Sequence, residues 1–398
     1  MEPQLSSRIK SLSTSQTIAM AERAADLKAE GVDIISLSLG EPDFDTPGYI
    51  VDAAIKAIEN KFFKYPPVTG YKDTREAIAR KLKRDNNLDY NIDQIVVSNG
   101  SKQSIFNAAM VLVSPGDEVL LPAPYWVSYK EITKLVGGVP KPIKTSIETD
   151  FKITPAQLEA AITPKTKLMI FNTPSNPSGS VYSKKELDAL GEVLRRHPHV
   201  YIISDEIYEY INFTGNFASF AAVEGLKDRV VTINGASKAF AMTGWRVGYM
   251  AAHPTIAKAC VKIQSQVTSG ANSIAQKALI AALDGGKEKI EYMIKAFDER
   301  RHLVYNLLKD IPGFKVNMPE GAFYFFPDVT EFFGKEFNGY KINNATDLSM
   351  YLLEEAKVAT VTGEAFGNPE CLRFSYATSK EELKEAFKRI KKALEFKK

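Results

Sequence analysis

Between Gln94 and Ala252 the chain alternates short apolar runs with stretches of helical period. The runs are "QIVVSNG" (94–100), "DEVLLPAP" (117–124), "VPKPIKT" (139–145), "KLMIFNTPSNP" (167–177), "VYIISDEIY" (200–208), "RVVTING" (229–235) and "RVGYMAA" (246–252). Helices are expected between them near 101–113, 125–136 and 184–195, the last with its N-cap at Ser183. Seven short apolar strands with intervening helices predict an α/β unit: a seven-stranded, mostly parallel sheet covered on both faces. Ligand chemistry in such a sheet collects at the carboxyl ends of the strands.

The flanks read differently. Helices are expected at 16–30, stopped by Gly31, at 49–60 and at 73–86, with "DIISLSLG" extended and "FFKYPPVTGYK" a loop. After Pro254 the pattern is long helices (253–266, 274–283, 287–309). Two extended segments in "GFKVNMPEGAFYFFPDV" follow, then a helix at 344–355, the pieces "KVATVTG" and "CLRFSYA", and a closing helix. This predicts a smaller α+β domain. The expected division is a large domain at 46–285 and a small one at 286–398. Residues 1–45 should pack with the small domain, because the sheet is complete without them.

Composition changes this picture little. The apolar fraction is 44%, the charged fraction 25% and the net charge +3, which suits a globular protein and gives no support to a nucleic-acid binder. The basic C-terminus "KRIKKALEFKK" follows an apolar spacing of Leu383, Phe387, Ile390 and Leu394, the mark of an amphipathic surface helix. Two distant cysteines argue against a disulfide scaffold. No window is long and apolar enough to span a membrane, and the N-terminus lacks the apolar core of a secretory signal. The expected location is cytoplasmic.

Candidate chemistry gathers on one rim. The strand ends carry Gly100, Ser101 and Lys102, then Tyr125 and Trp126, then Asn172 and Asn176, then Asp205 and Tyr208, then Ser237 and Lys238, with Arg246 opening the last strand. Alone, each is a cap, a turn or a surface pair. Together they are mutually consistent. A lysine forms a Schiff base with an aldehyde. A helix N-terminus and an arginine suit a phosphate. An aspartate keeps a pyridinium nitrogen protonated, and an aromatic side chain stacks on the ring. The cofactor that uses all of these is pyridoxal 5'-phosphate; no metal is called for.

At these residues the chain resembles the class I aminotransferases of the aspartate aminotransferase family, in particular the bacterial subgroup acting on aspartate and, in some members, prephenate. The resemblance runs through "SLGEPDFDTP", "YPPVTG", "SNGSKQ", "PYWVSY", "NTPSNPSG", "SDEIYE", "SKAFAMTGWRVGY", "SGANSIAQ", "PEGAFY" and "LRFSYA", in order over almost the whole chain. It implies the pyridoxal-phosphate transferase fold of type I and a homodimer with shared sites. It makes Lys238 the cofactor-bearing lysine and proton shuttle, and it places Asp205 at the ring nitrogen. Asn176 and Tyr208 would bond the phenolic oxygen, and Trp126 would stack on the ring. Gly100, Ser101, Lys102, Ser237 and Arg246 would surround the phosphate, with Tyr65 reaching it from the neighbouring subunit. Arg373, Asn176 and the Gly40 backbone would hold the substrate α-carboxylate. Lys102, Ser15 and Thr17 would hold a distal carboxylate, since "SQVTSGANSIAQ" offers no arginine for that work.

The implied reaction is transfer of the amino group of L-aspartate to 2-oxoglutarate by a ping-pong mechanism. Rivals keep the fold and change the substrate to prephenate, an aromatic amino acid, alanine or kynurenine, or divert the same carbanion, as a β-lyase does. A ligand sensor would need a DNA-binding module that residues 1–45 do not supply. A nicotinamide enzyme would need a GxGxxG after a strand, which is absent.

Overall fold

The computed structural model describes residues 3–13 and 16–395. Strand β1 (Ile35–Ser36) precedes the large sheet. The sheet contains β2 (Ile95–Ser98), β3 (Glu118–Pro122), β4 (Val139–Ile143), β5 (Thr166–Asn172), β6 (Tyr201–Asp205), β7 (Val230–Gly235) and β8 (Gly248–Ala251). These are the seven expected runs. They lie in the order β2-β8-β7-β6-β5-β3-β4, and only β8 runs against its neighbours. Because β8 enters where the other strands end, Arg246 at its start shares the rim with Asp205 and Gly235.

Alternate residues of each strand but β4 enter opposite cores, as a pleated strand requires, while the edge strand β4 contributes only Ile143. Val97, Met169, Phe171 and Ile202 pack on one face with the helices Gly48–Glu59, Lys72–Asn86 and Ser273–Gly285. Val96, Leu168, Ile170 and Ile203 pack on the other with Ser101–Leu112 and Pro254–Val267. Each fully buried aliphatic side chain contributes roughly 1.5–3 kcal/mol. The strand ends are therefore rigid platforms. The helix Lys184–Arg196 begins as expected at Ser183, whose hydroxyl caps Glu186 while Glu186 reaches back to the Ser183 N–H at 2.7 Å.

A separate core forms around the helix Glu291–Lys309, where Phe297, Val304 and Leu308 meet Phe323, Phe374, Leu383, Phe387 and Ile390. Its strands are short: β9 (Tyr324–Phe325), β10 (Glu336–Phe337), β11 (Tyr340–Lys341), β12 (Val358–Ala359), β13 (Val361–Thr362) and β14 (Leu372–Ser375). Strand β1 pairs in parallel with β12, and Ser375 N–H donates to the Leu37 carbonyl at 2.8 Å. The segment that follows, Ser38 to Gly40, is thereby delivered to the sheet rim.

Several elements differ from the sequence expectation. The two extended segments in 313–329 reduce to β9 and a bridge between Lys315 and Asp328. The helix expected from 125 starts at Val127, with Trp126 as N-cap, because Tyr125 donates its N–H to the Phe366 carbonyl instead. The long helix opens with a tighter turn over Lys287–Ile290. Helices Pro155–Ala161 and Ser7–Ser11 were not expected. The second of these leans on Val127–Leu135, where the Ser13 N–H donates to Glu131 at 3.0 Å. Among the described residues no helix is long and apolar enough to cross a membrane.

Candidate active site

A cavity of about 400 Å³ opens at the strand-end rim, between the sheet and the second core. Twelve residues singled out in the sequence line it: Gly40, Ser101, Lys102, Trp126, Asn172, Asn176, Asp205, Tyr208, Ser237, Lys238, Arg246 and Arg373. Gly100 stands behind Ser101 as helix N-cap. Tyr65 is 95% exposed on its loop and does not line the cavity. Ser15 lies outside the described residues, as does the side chain of Thr17.

One end of the cavity is built for an anion. The helix Ser101–Leu112 begins there, and Gly100 gives it no side-chain cap, so its first N–H groups remain for a ligand. Gly100 has a φ of +79°, and a Cβ there would collide with the Arg246 guanidinium. A Cβ on Gly248 would collide with the Ser101 N–H. Arg246 adopts the left-handed backbone (φ 54°), which a bulky residue pays for only where its surroundings fix it. Its guanidinium rests on the carbonyls of Thr243 (2.9 Å) and Asn99 (3.3 Å). Among the described residues no carboxylate pairs with it.

Asp205 closes β6 and is buried. Its Oδ2 accepts from the Tyr129 hydroxyl at 2.7 Å and its Oδ1 from the Ile207 N–H at 3.3 Å. Burial pushes its pKa up to about 6, against the pull of those bonds and of the Lys238 charge. A cationic ring nitrogen beside it would favour the ionised form. Lys238 follows β7 and donates from Nζ to the Gly40 carbonyl at 2.5 Å. Burial lowers its pKa to about 8; Glu41 and Asp205 act upward, Arg373 and Arg246 downward. Near neutral pH a usable fraction of this amine is therefore unprotonated, the form that attacks a carbonyl or takes a proton.

The opposite wall holds Arg373 from β14, buried at 2% exposure. Its guanidinium lies between the rings of Tyr324 (4.7 Å) and Phe366 (4.9 Å). It donates to Asn176 Oδ1 at 3.0 Å and to the Ser38 carbonyl at 2.6 Å. Its Nε has no partner, and no carboxylate among the described residues neutralises it. A buried cation left in this state is a receptor for an anion. Asn176 is itself fixed, because its N–H donates to Asn172 Oδ1 at 2.8 Å and Asn172 donates to the Asp205 carbonyl at 2.8 Å.

Lys102 projects its ammonium over the Trp126 ring at 4.6 Å. Its pKa is pushed down by partial enclosure and then by Arg246. Sequence reasoning gave no role to two further lining residues. Tyr129 sits three residues after Trp126 on one helix face and makes an edge contact with it at 5.5 Å; that i, i+3 spacing in "PYWVSY" was the available signal. Tyr324 bonds Tyr208, hydroxyl to hydroxyl, at 2.8 Å.

A cavity with a reactive amine, a buried acid, an anion cradle walled by glycines and an unpaired guanidinium fits a phosphorylated aldehyde cofactor and a carboxylate substrate. Comparison with known proteins agrees. The family model "Aminotransferase class I and II" matches residues 32–390. The bifunctional aspartate aminotransferase and glutamate/aspartate-prephenate aminotransferase of Petunia hybrida is 49% identical over 98% of this chain and 82% of its own length. The aspartate/prephenate aminotransferase of Nitrosomonas europaea is 49% identical over 97% of this chain and 98% of its own. Among solved structures, the aspartate aminotransferase of Rhizobium meliloti superposes with a TM-score of 0.96 at 45% identity, covering 98% of this chain and 99% of that one. The Thermus thermophilus aspartate aminotransferase with maleate gives 0.92 at 37% identity, over 99% and 100%. With this rim chemistry and a match over nearly its full length, the chain belongs to the class I and II aminotransferase family.

Proposed function

We propose that the protein is a pyridoxal-phosphate-dependent aminotransferase that moves the amino group of L-aspartate to 2-oxoglutarate, giving oxaloacetate and L-glutamate. The observation that carries this is the buried Arg373 guanidinium, with its Nε unpartnered and no carboxylate among the described residues to neutralise it, in the same cavity as Lys238 and Asp205.

The cofactor, when bound, supplies a carbon that takes the amino group and a ring that accepts the electron pair left as the α-proton departs. Ser101, the Lys102 N–H, Ser237 and Arg246 would hold its phosphate, with Gly100 allowing close approach. Trp126 would pack on its ring, Asn176 and Tyr208 would serve its phenolic oxygen, and Asp205 would keep a proton at its ring nitrogen. Arg373, assisted by Asn176 and the Gly40 backbone, grips the substrate α-carboxylate and turns the α-hydrogen toward Lys238. Lys238 Nζ takes that proton and returns it one position away. The bound cofactor would carry the amino group between the two oxo acids, with water supplying the oxygen of the first one released.

The second carboxylate of aspartate needs its own cation. Lys102, with its ammonium in the cavity, is that group, and Ser15 and Thr17 are the hydroxyl partners expected for it. Prephenate is a second reading, because it also carries two carboxylates and the relatives from Petunia and Nitrosomonas bear it in their names. Steady-state rates against a panel of amino donors and oxo acids test both. Aspartate with 2-oxoglutarate should give the highest kcat/KM; a preference for alanine or an uncharged aromatic donor would overturn the dicarboxylate reading.

The working form is a cytoplasmic homodimer, built from residues 46–285 as the cofactor domain and 286–398 as the small domain; of residues 1–45, Ile35–Leu37 join the small domain, whereas Ser7–Ser11 and Ser13, against the expectation, lie on the cofactor domain's helix Val127–Leu135. Ile55, Ile58, Phe63 and Tyr65 are all exposed on one helix and the loop after it. An apolar stripe of this kind calls for a partner, and Tyr65 would reach the partner's phosphate. Sedimentation should give twice the chain mass. Mixing Tyr65→Phe with Lys238→Ala chains should create one site with both residues native and recover activity. A fully active monomer would rule out shared sites.

A further inference from the structure

The run Phe323–Phe326 is phenylalanine at every position but one, and the exception, Tyr324, is fully buried. A hydroxyl in such a place is costly unless something uses it. Strand register explains where it points. Tyr324 on β9 lies opposite Ser375 on β14, so Arg373, two residues earlier on β14, is its diagonal neighbour on the same face. The Arg373 guanidinium lies 4.7 Å from the centre of the Tyr324 ring. The Tyr324 hydroxyl leaves that contact and bonds Tyr208 at 2.8 Å. One side chain thus touches both the group assigned to the substrate carboxylate and the group assigned to the cofactor's phenolic oxygen.

The two phenols share a single hydrogen bond, so one of their two protons points elsewhere. Gly40 crowds the Tyr324 oxygen: a Cβ added there would sit 2.6 Å from it. The arrangement that leaves a proton for a ligand has Tyr324 donating and Tyr208 accepting, with the Tyr208 O–H turned to the cavity. A phenol that accepts a bond becomes a stronger donor itself.

We propose that Tyr324 is the positioning residue that ties the carboxylate clamp to the cofactor: its ring fixes the plane of Arg373, and its hydroxyl strengthens the bond Tyr208 makes to the phenolic oxygen. The inference rests on the roles given to Arg373 and Tyr208 above. It predicts that the two halves of the residue separate. Tyr324→Phe keeps the ring and removes the bond, so KM stays near the wild-type value while kcat falls about two- to tenfold, the worth of one neutral hydrogen bond. Tyr324→Leu loses the ring as well, and KM rises about three- to thirtyfold for every amino acid tested.

The decisive readout is spectroscopic. The cofactor-loaded protein is titrated with alkali in the absence of substrate, and the pH midpoint of its visible absorbance change is recorded for wild type, Tyr208→Phe, Tyr324→Phe and Tyr324→Leu. A weaker donor at Tyr208 stabilises an anionic oxygen less, so the midpoint should move upward. Tyr324→Phe should raise it by roughly half a unit, in the same direction as Tyr208→Phe and by less. A shift in Tyr208→Phe with none in Tyr324→Phe would overturn this inference and leave the reading of Tyr208 standing. No shift in either would overturn the reading of Tyr208 and this inference with it. Equal KM effects of the Phe and Leu variants would also overturn it, because they would assign the clamp to the hydroxyl rather than the ring.

Discussion

Replacing Lys238 with alanine is expected to lower kcat for transamination by roughly 10⁴-fold or more, the upper range of what one positioned acid–base group supplies. The size follows from what else is near. Asp205 is committed to its bonds with Tyr129 and Ile207. The phenols of Tyr208 and Tyr129 are held well above their ordinary pKa by burial, so neither is a base at neutral pH. Lys102 has its ammonium over Trp126. Among the described residues no other amine bonds the Gly40 carbonyl. The anion cradle does not involve the Lys238 side chain, so the variant should still retain the cofactor, and its absorbance should lose the band that depends on the lysine linkage. Stopped-flow or coupled assays on variant and wild type decide the matter. Turnover within tenfold of wild type would remove Lys238 from the mechanism.

Much of this site was legible because it is local. Ser101, Asn176, Asp205 and Lys238 each lie at the end of an apolar run or in the turn after it, and a parallel sheet brings the ends of such runs to one rim whatever the details of packing. Arg246 reaches the rim for a different reason. Strand β8 is antiparallel, so its first residues rather than its last reach the rim. What the pattern could not supply lies across the cavity. Arg373 sits on a four-residue strand in another core, and Ser38 and Gly40 arrive on a segment held between β12 and β14. Such contacts depend on how two cores dock, which no periodicity encodes; only the family resemblance carried Arg373. Tyr324 was hidden for a further reason. In "AFYFF" a tyrosine reads as one more core aromatic, and its hydroxyl gains meaning only once Tyr208, more than a hundred residues away, is known to face it. The short strands of the second core were also overdrawn, since aromatic runs there fill volume more than they build sheet.

The contrast between Arg373 and Lys102 carries the second large effect. Arg373 is buried, and its guanidinium is held by Asn176, Ser38 and two rings. A substrate α-carboxylate would be its only counter-charge among the described residues. Truncating one member of a buried, hydrogen-bonded charge pair costs about 2–5 kcal/mol, so Arg373→Ala should lower kcat/KM by roughly 30- to 5,000-fold. Because every amino acid and oxo acid carries that carboxylate, aspartate and phenylalanine should suffer alike. Lys102 is more open, and its ammonium has the Trp126 face to rest on when no ligand is present. Loss of one charge-assisted contact there costs about 1.5–3 kcal/mol, or roughly 10- to 100-fold in kcat/KM, and only for substrates with a second carboxylate. The experiment is a two-by-two comparison of kcat/KM, both variants against aspartate and phenylalanine. Arg373→Ala that spared phenylalanine would move the α-carboxylate site elsewhere. Lys102→Ala that depressed both substrates equally would make Lys102 a cofactor ligand and leave the dicarboxylate preference without its cation.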